Sequence, residues 1–161
     1  MFIYSVKANT LKLACCVMAA IAIMVSLVIF LPEDEAYTVL ANGSKVVYTD
    51  VTDNDARINF LKQFGWEVEK DPISEEKVTV PKDFDTVFAG YNDLQKLQGL
   101  DLARYKRREL TRYTYVVTNY DGYDGRVLAN ILVYRGRVVG GDICTESSDG
   151  FIHGFEKSTR L

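Results

Sequence analysis

The sequence predicts an α+β domain: an antiparallel sheet with a C-terminal three-stranded meander, packed with two main helices and preceded by one N-terminal transmembrane helix. Three observations lead there. Residues 13–31 form an uncharged apolar run, residues 52–99 twice carry apolar side chains at helical spacing, and from Leu110 onward the apolar period falls to two. Helices first and a meander last suit packing of the helices on one sheet face.

The apolar run comes first. Leu13 to Leu31 are nineteen residues without a charge, against the roughly 20 that span a bilayer. Ten of them are Leu, Ile, Val or Phe, each favouring the membrane centre by about 0.3–0.6 kcal/mol, so insertion gains about 3–6 kcal/mol from these alone. Lys7 and Lys12 precede the run, while Pro32, Glu33, Asp34 and Glu35 follow it. The positive-inside rule then leaves residues 1–12 in the cytoplasm, residues 13–31 in the cell membrane and residues 33–161 outside. A cleaved signal would show a shorter apolar core with a small-residue cleavage site after it. A lipoprotein cysteine would close the run, whereas Cys15 and Cys16 open it. The segment therefore reads as an uncleaved single-pass anchor. Small residues at Cys15/Ala19, Cys16/Ala20 and Ala22/Ser26 would let two such helices approach closely, which makes self-association one reading. The oligomeric state is left open.

Residues 32–51 read as a linker with a hairpin, Tyr37–Leu40 and Lys45–Tyr48 flanking Asn42-Gly43, because type I′ turns need positive φ at both central positions. The domain proper is predicted over 52–161. Its first helix opens at Thr52, where Thr52 and Asp55 make a capping-box pattern. Ile58, Leu61 and Phe64 give it an apolar face, and Gly65 ends it. Trp66–Glu69 and Lys77–Val80 are predicted strands. The second helix starts near Asp83, presents Phe84, Val87, Phe88, Tyr91 and Leu94 at helical spacing, and ends at Gly99. In both helices an apolar residue follows the terminal glycine, as Schellman caps prefer. Leu110–Asn119, Val127–Tyr134 and Arg137–Cys144 complete the meander, their short connections forcing antiparallel pairing. On the first of these strands Tyr113, Tyr115 and Val117 share one face, and Arg112, Thr114 and Thr118 the other.

Charge excludes one class of function. All 22 acids follow residue 32, against 17 of the 19 bases. An acidic domain is poorly suited to non-specific binding of nucleic acid, which rests on neutralised phosphates.

The stretch from Tyr91 to Leu102, Tyr-Asn-Asp-Leu-Gln-Lys-Leu-Gln-Gly-Leu-Asp-Leu, carries a family resemblance. So do Tyr113-Thr114-Tyr115, Asn119-Tyr120, Leu132-Val133-Tyr134, Val139 to Cys144 and Gly150 to Gly154. Together they resemble a bacterial domain-of-unknown-function family of small proteins with an N-terminal membrane segment, mainly Gram-positive and clostridial-type. The resemblance covers residues 55–155. It implies an envelope location and a single domain, and supplies no activity.

Several constellations bear on chemistry. Cys144 with His153, the sole histidine, and Asp142 would form a thiol site, Cys144 as nucleophile, His153 as base and Asp142 as its orienter. Asp142 and Cys144 lie two apart on a strand and share a face, so His153 must fold back to meet them. The plainer reading makes Cys144 a small apolar residue at a strand end. It is also the only cysteine beyond the apolar run, so the domain holds no internal disulfide. Arg104, Lys106, Arg107, Arg108 and Arg112 gather five bases in nine residues. With Tyr113 and Tyr115 they make a candidate binding surface for a cell-wall component, another envelope protein or the membrane itself. Asn92, Gln95 and Gln98 edge the buried side of the second helix, where Gln95 is placed to bond nearby backbone. Asp121 to Gly125 lacks the alternating oxygen ligands and closing Glu of a calcium loop. No phosphate-cradling glycine loop, zinc-ligand spacing or nucleophile elbow is present, so no cofactor or metal is expected. The leading expectation is a non-catalytic, membrane-anchored extracytoplasmic binding or assembly module. A Cys144/His153 thiol enzyme and a self-associating membrane protein are the alternatives.

Overall fold

Both helices are bounded by the same local chemistry. In the computed structural model, which describes residues 17, 18, 21, 37–39, 45–147 and 149–157, α1 spans Asn54–Lys62 and α2 spans Thr86–Leu97. An aspartate caps each: Asp53 accepts from Ala56 N at 2.8 Å and Asp85 from Phe88 N at 2.7 Å. A carboxylate in this position answers an orphan N–H and the positive end of the helix together. The predicted Thr52 cap is therefore displaced by one residue, and the predicted start at Asp83 by three. Both helices end in Schellman geometry, with Gly65 at φ 81° and Gly99 at φ 76°. Trp66 N donates to Leu61 O and Gly65 N to Lys62 O, as Leu100 N does to Gln95 O and Gly99 N to Lys96 O. This shared ending is the one the sequence implies.

Five antiparallel strands form the main sheet, in the order β3 (Ser74–Thr79), β4 (Glu109–Val117), β5 (Val127–Tyr134), β6 (Arg137–Thr145) and β7 (Ile152–His153). The expected meander is its centre, and β3 and β7 extend it at the edges. Trp66–Glu69 does not form the predicted strand: Val68 makes a single bridge to Val117. A separate two-stranded sheet pairs β1 (Tyr37–Val39) with β2 (Lys45–Val47). The Asn42-Gly43 turn lies outside the described residues. A 3-10 turn at Leu102–Tyr105 links α2 to β4.

Strand alternation divides the core in two. Tyr115, Val117, Val127, Ala129, Ile131 and Ile143 pack with Phe60, Leu61, Phe64 and Trp66 around α1. Leu110, Leu132 and Val139 pack with Val80 and Leu102, and with half-buried Phe84, Phe88 and Tyr91 of the α2 region. Register puts Leu110 and Leu132 on the opposite side of the sheet from Tyr115 and Ile131. The helices therefore cover opposite faces, which corrects the expected packing on one face. The central strands are apolar on both sides, so each side needs a cover.

α2 is the thinner cover. Val87, expected on its apolar face, is 82% exposed, and the helix's buried residues are the polar Asn92 and Gln95.

Residues Met1–Asp34 and Glu35–Leu161 are two units. The predicted span 13–31 lies outside the described residues except at Val17, Met18 and Ile21, which are helical. Among the described residues no helix is long and apolar enough to cross a membrane.

Candidate functional site

Between α2 and the sheet lies a cavity of about 380 Å³. Its walls are apolar, from Val78, Val80, Phe88, Leu102, Leu110 and Leu132. Its floor is polar. Cross-strand register aligns Thr114, Asn130 and Asp142 in one row over β4, β5 and β6. Side-chain bonds follow that row: Thr114 Oγ1 donates to Asn130 Oδ1 at 2.8 Å, and Asn130 Nδ2 donates to Asp142 Oδ2 at 2.9 Å. Tyr91 descends from α2 and donates its hydroxyl to Asp142 Oδ1 at 2.7 Å. Burial, then the adjacent Asp142 charge, hold the Tyr91 phenol well above its ordinary range.

Cys144 and Asp142 do meet at this floor, as strand alternation implies. The thiol accepts from Asn130 Nδ2 at 3.4 Å. Burial, the charge of Asp142 and a hydrogen bond to it push the Cys144 pKa up to about 12, against smaller pulls from Asn130 and Arg112. At neutral pH the group is a neutral thiol, which is a weak nucleophile.

His153 does not join them. β7 pairs Ile143 with His153 and Cys144 with Ile152, so the imidazole stands on the α1 side of the sheet and the thiol on the α2 side. Its Nδ1 lies 2.6 Å from the Gly154 carbonyl and its Nε2 lies 3.2 Å from Tyr120 Oη. A carbonyl only accepts, so Nδ1 donates to it, and Nε2 is hydrogen-bonded to the tyrosine hydroxyl. The ring packs beside Trp66, Tyr120 and Phe151. These residues, with Asn119 and Lys157, border a second groove of about 380 Å³. Trp66 and Tyr120 stack there at 5.5 Å, and Lys157 Nζ sits 4.7 Å from the indole centroid. The expected Cys144–His153–Asp142 triad is thus reduced to the Asp142–Cys144 pair.

The predicted basic surface is likewise divided. Arg104, Lys106, Arg107 and Arg108 are exposed around the turn into β4, with Lys106 over the Phe84 ring at 4.8 Å. Arg112 stands apart on β4, where it lines the α2 cavity and its Nη2 donates to Glu76 at 2.6 Å. Tyr115 is fully buried, its hydroxyl accepting from Arg57 Nε at 2.7 Å and donating to Asn54 Oδ1 at 2.9 Å. It offers no surface. Tyr113 is half-buried beneath the Arg57 guanidinium, 3.8 Å from its ring centroid. No group of three or more metal-ligating side chains occurs among the described residues.

Sequence reasoning missed Tyr91 and Asn130 as partners of Asp142. Tyr91 was legible only as one apolar contact of a helix. The signal for Asn130 was available: an asparagine inside a Val-Leu-Ala-Asn-Ile-Leu-Val strand is a polar residue on a buried face, and such groups need partners.

No curated protein and no solved structure matches the chain. Residues 60–143 match a family described as a domain of unknown function, and that stretch contains α2, β3, β4, β5 and most of β6, hence nearly all of the cavity wall. The match covers just over half of the 161 residues, and the chain belongs to the DUF4830 family.

Proposed function

We propose that this protein is a non-catalytic, membrane-anchored extracytoplasmic binding module, and that its binding site is the cavity beneath α2. The observation that carries the reading is the state of Cys144: it lines the cavity, its pKa stands at about 12, and the sheet separates it from His153. The one nucleophile that the sequence offered with a base is therefore held neutral and without that base. What remains is a concave, largely apolar site with a few fixed polar groups, the usual character of a ligand pocket. The cover supports the same reading. The fully buried residues of α2 are the polar Asn92 and Gln95, and Val87 and Leu97 are exposed, so its apolar hold on the sheet rests on half-buried Phe88 and Tyr91. The apolar run 13–31 with its flanking charges supports an anchor that keeps this site outside the cytoplasm.

Ile152 borders the cavity and is 53% exposed. The test replaces the three native cysteines with serine, introduces Ile152→Cys and applies a membrane-impermeant maleimide to intact cells. Labelling is expected, and more slowly than on the purified chain, because an occupant in the envelope shields the position. Labelling only after lysis would sink the extracytoplasmic topology. Equal rates in cells and in the purified chain would sink the occupied site.

A further inference from the structure

The floor of the cavity holds a buried carboxyl group that makes no ion pair among the described residues. Asp142 is 3% exposed, and among the described residues no lysine or arginine nitrogen lies within ion-pair distance of it. Its hydrogen bonds, from Tyr91, Asn130 and the Cys144 thiol, come from neutral donors. A carboxylate has about four acceptor positions, so roughly one is unused here. A buried charge without a counter-charge is costly unless something supplies one. The nearest cation of the cavity wall, Arg112, is committed through Nη2 to Glu76. Its Nε is buried without a partner among the described residues, and the side chain lines the same cavity.

We propose that the cavity binds an organic ammonium compound, with the cationic nitrogen on Asp142 and an apolar body against Phe88, Leu110 and Leu132. The proposal rests on the binding-module reading and names the ligand class of that site. Three features select this class. A single carboxylate cannot satisfy a divalent metal, which takes six or more oxygen ligands or several carboxylates. Apolar walls disfavour a hydrated inorganic ion and favour a hydrocarbon or aromatic body. The volume of about 380 Å³ holds a ligand of one ring or a short chain. An acceptor on the far end of the ligand would also satisfy Arg112 Nε.

The experiment titrates the full-length chain in micelles with 2-phenylethylammonium, 2-phenylethanol and 3-phenylpropionate, following the side-chain amide of Asn130 by NMR. The ammonium is expected to bind at least about tenfold more tightly than the isosteric alcohol, and the propionate more weakly than both. Asp142→Asn is expected to erase that preference, and Ile152→Trp, at the cavity mouth, to weaken all three. Because Asp142→Asn removes a buried group, the wild-type ranking stands as the test if that variant fails to fold. Equal binding of alcohol and ammonium, or preferred binding of the propionate, would overturn the ammonium assignment and leave the cavity as a binding site. Absence of binding by all three probes would overturn both.

Discussion

Gln95 of α2 accepts the backbone N–H of Gly141 on β6 at 2.8 Å, and Gln98 donates to the carbonyl of the same glycine at 3.1 Å. Gln98 Oε1 also receives Phe155 N at 2.7 Å. One helix edge thus holds a strand and the chain beyond it through main-chain groups. The glycine is required by space: a Cβ at position 141 would overlap the Phe155 ring and the Asn130 carbonyl oxygen. This contact accounts for the glutamines spaced three apart on α2 and for the paired glycines of β6. They are the two halves of one joint that sets α2 over the cavity.

From this joint follows the first prediction. Gln95→Leu leaves a buried N–H without its acceptor and should cost about 1–3 kcal/mol. Gly141→Ala should cost about 3 kcal/mol through forced overlap. Urea unfolding of each variant measures both. A loss below about 0.5 kcal/mol for either would remove the joint from the account.

A second prediction separates the two tyrosines of β4. Tyr115→Phe removes the hydroxyl that joins Arg57 Nε to Asn54 Oδ1 in a buried setting, and should cost about 1–3 kcal/mol. Tyr113→Phe keeps the ring beneath the Arg57 guanidinium and should stay within about 0.5 kcal/mol of wild type. Equal losses at the two positions in thermal or urea unfolding would contradict this assignment.

The third prediction concerns alkaline pH. The folded-state pKa of Cys144 is raised to about 12 from an ordinary thiol value of 9.0, and those of Tyr91 and Tyr115 are raised as well. Between the unfolded and folded values the unfolded chain has released protons that the folded chain keeps, so stability falls as pH rises. The contribution of Cys144 is complete below about pH 9 and is lost as pH climbs toward 12. Unfolding midpoints should therefore decline above pH 9, and Cys144→Ala should make that decline shallower. An unchanged slope in the variant would show that the thiol ionises alike in the folded and unfolded chains, with no raised pKa in the folded structure.

Much of the fold was legible because its signals are local. Gly65 and Gly99 mark helix ends by backbone sterics alone, and period-two alternation marks β4, β5 and β6 almost to the residue. The misses depend on partners distant in sequence. Val68 meets β4 only through one bridge, and β7 exists because two residues after a loop pair with Ile143 and Cys144. Side-chain periodicity misjudged Val87, which continues the apolar stripe of α2 into solvent, whereas Asn92 and Gln95 lie on the buried side where the sequence placed them. In the candidate site, Asp142 and Cys144 came together because neighbours two apart on a strand must share a face. The position of His153 depended on the register of a strand that periodicity does not reveal, and a shift of one residue reverses its face.

The most direct measurement of the central claim is the rate of Cys144 alkylation by iodoacetamide against pH, in the full-length chain with Cys15 and Cys16 replaced by serine. Slow reaction at neutral pH is expected, with a rate still rising at pH 10 and the same profile in His153→Ala, since the thiol is held neutral and the imidazole lies across the sheet. A rate that reaches its plateau below about pH 7 and loses that plateau in His153→Ala would contradict it, and would make Cys144 an activated nucleophile.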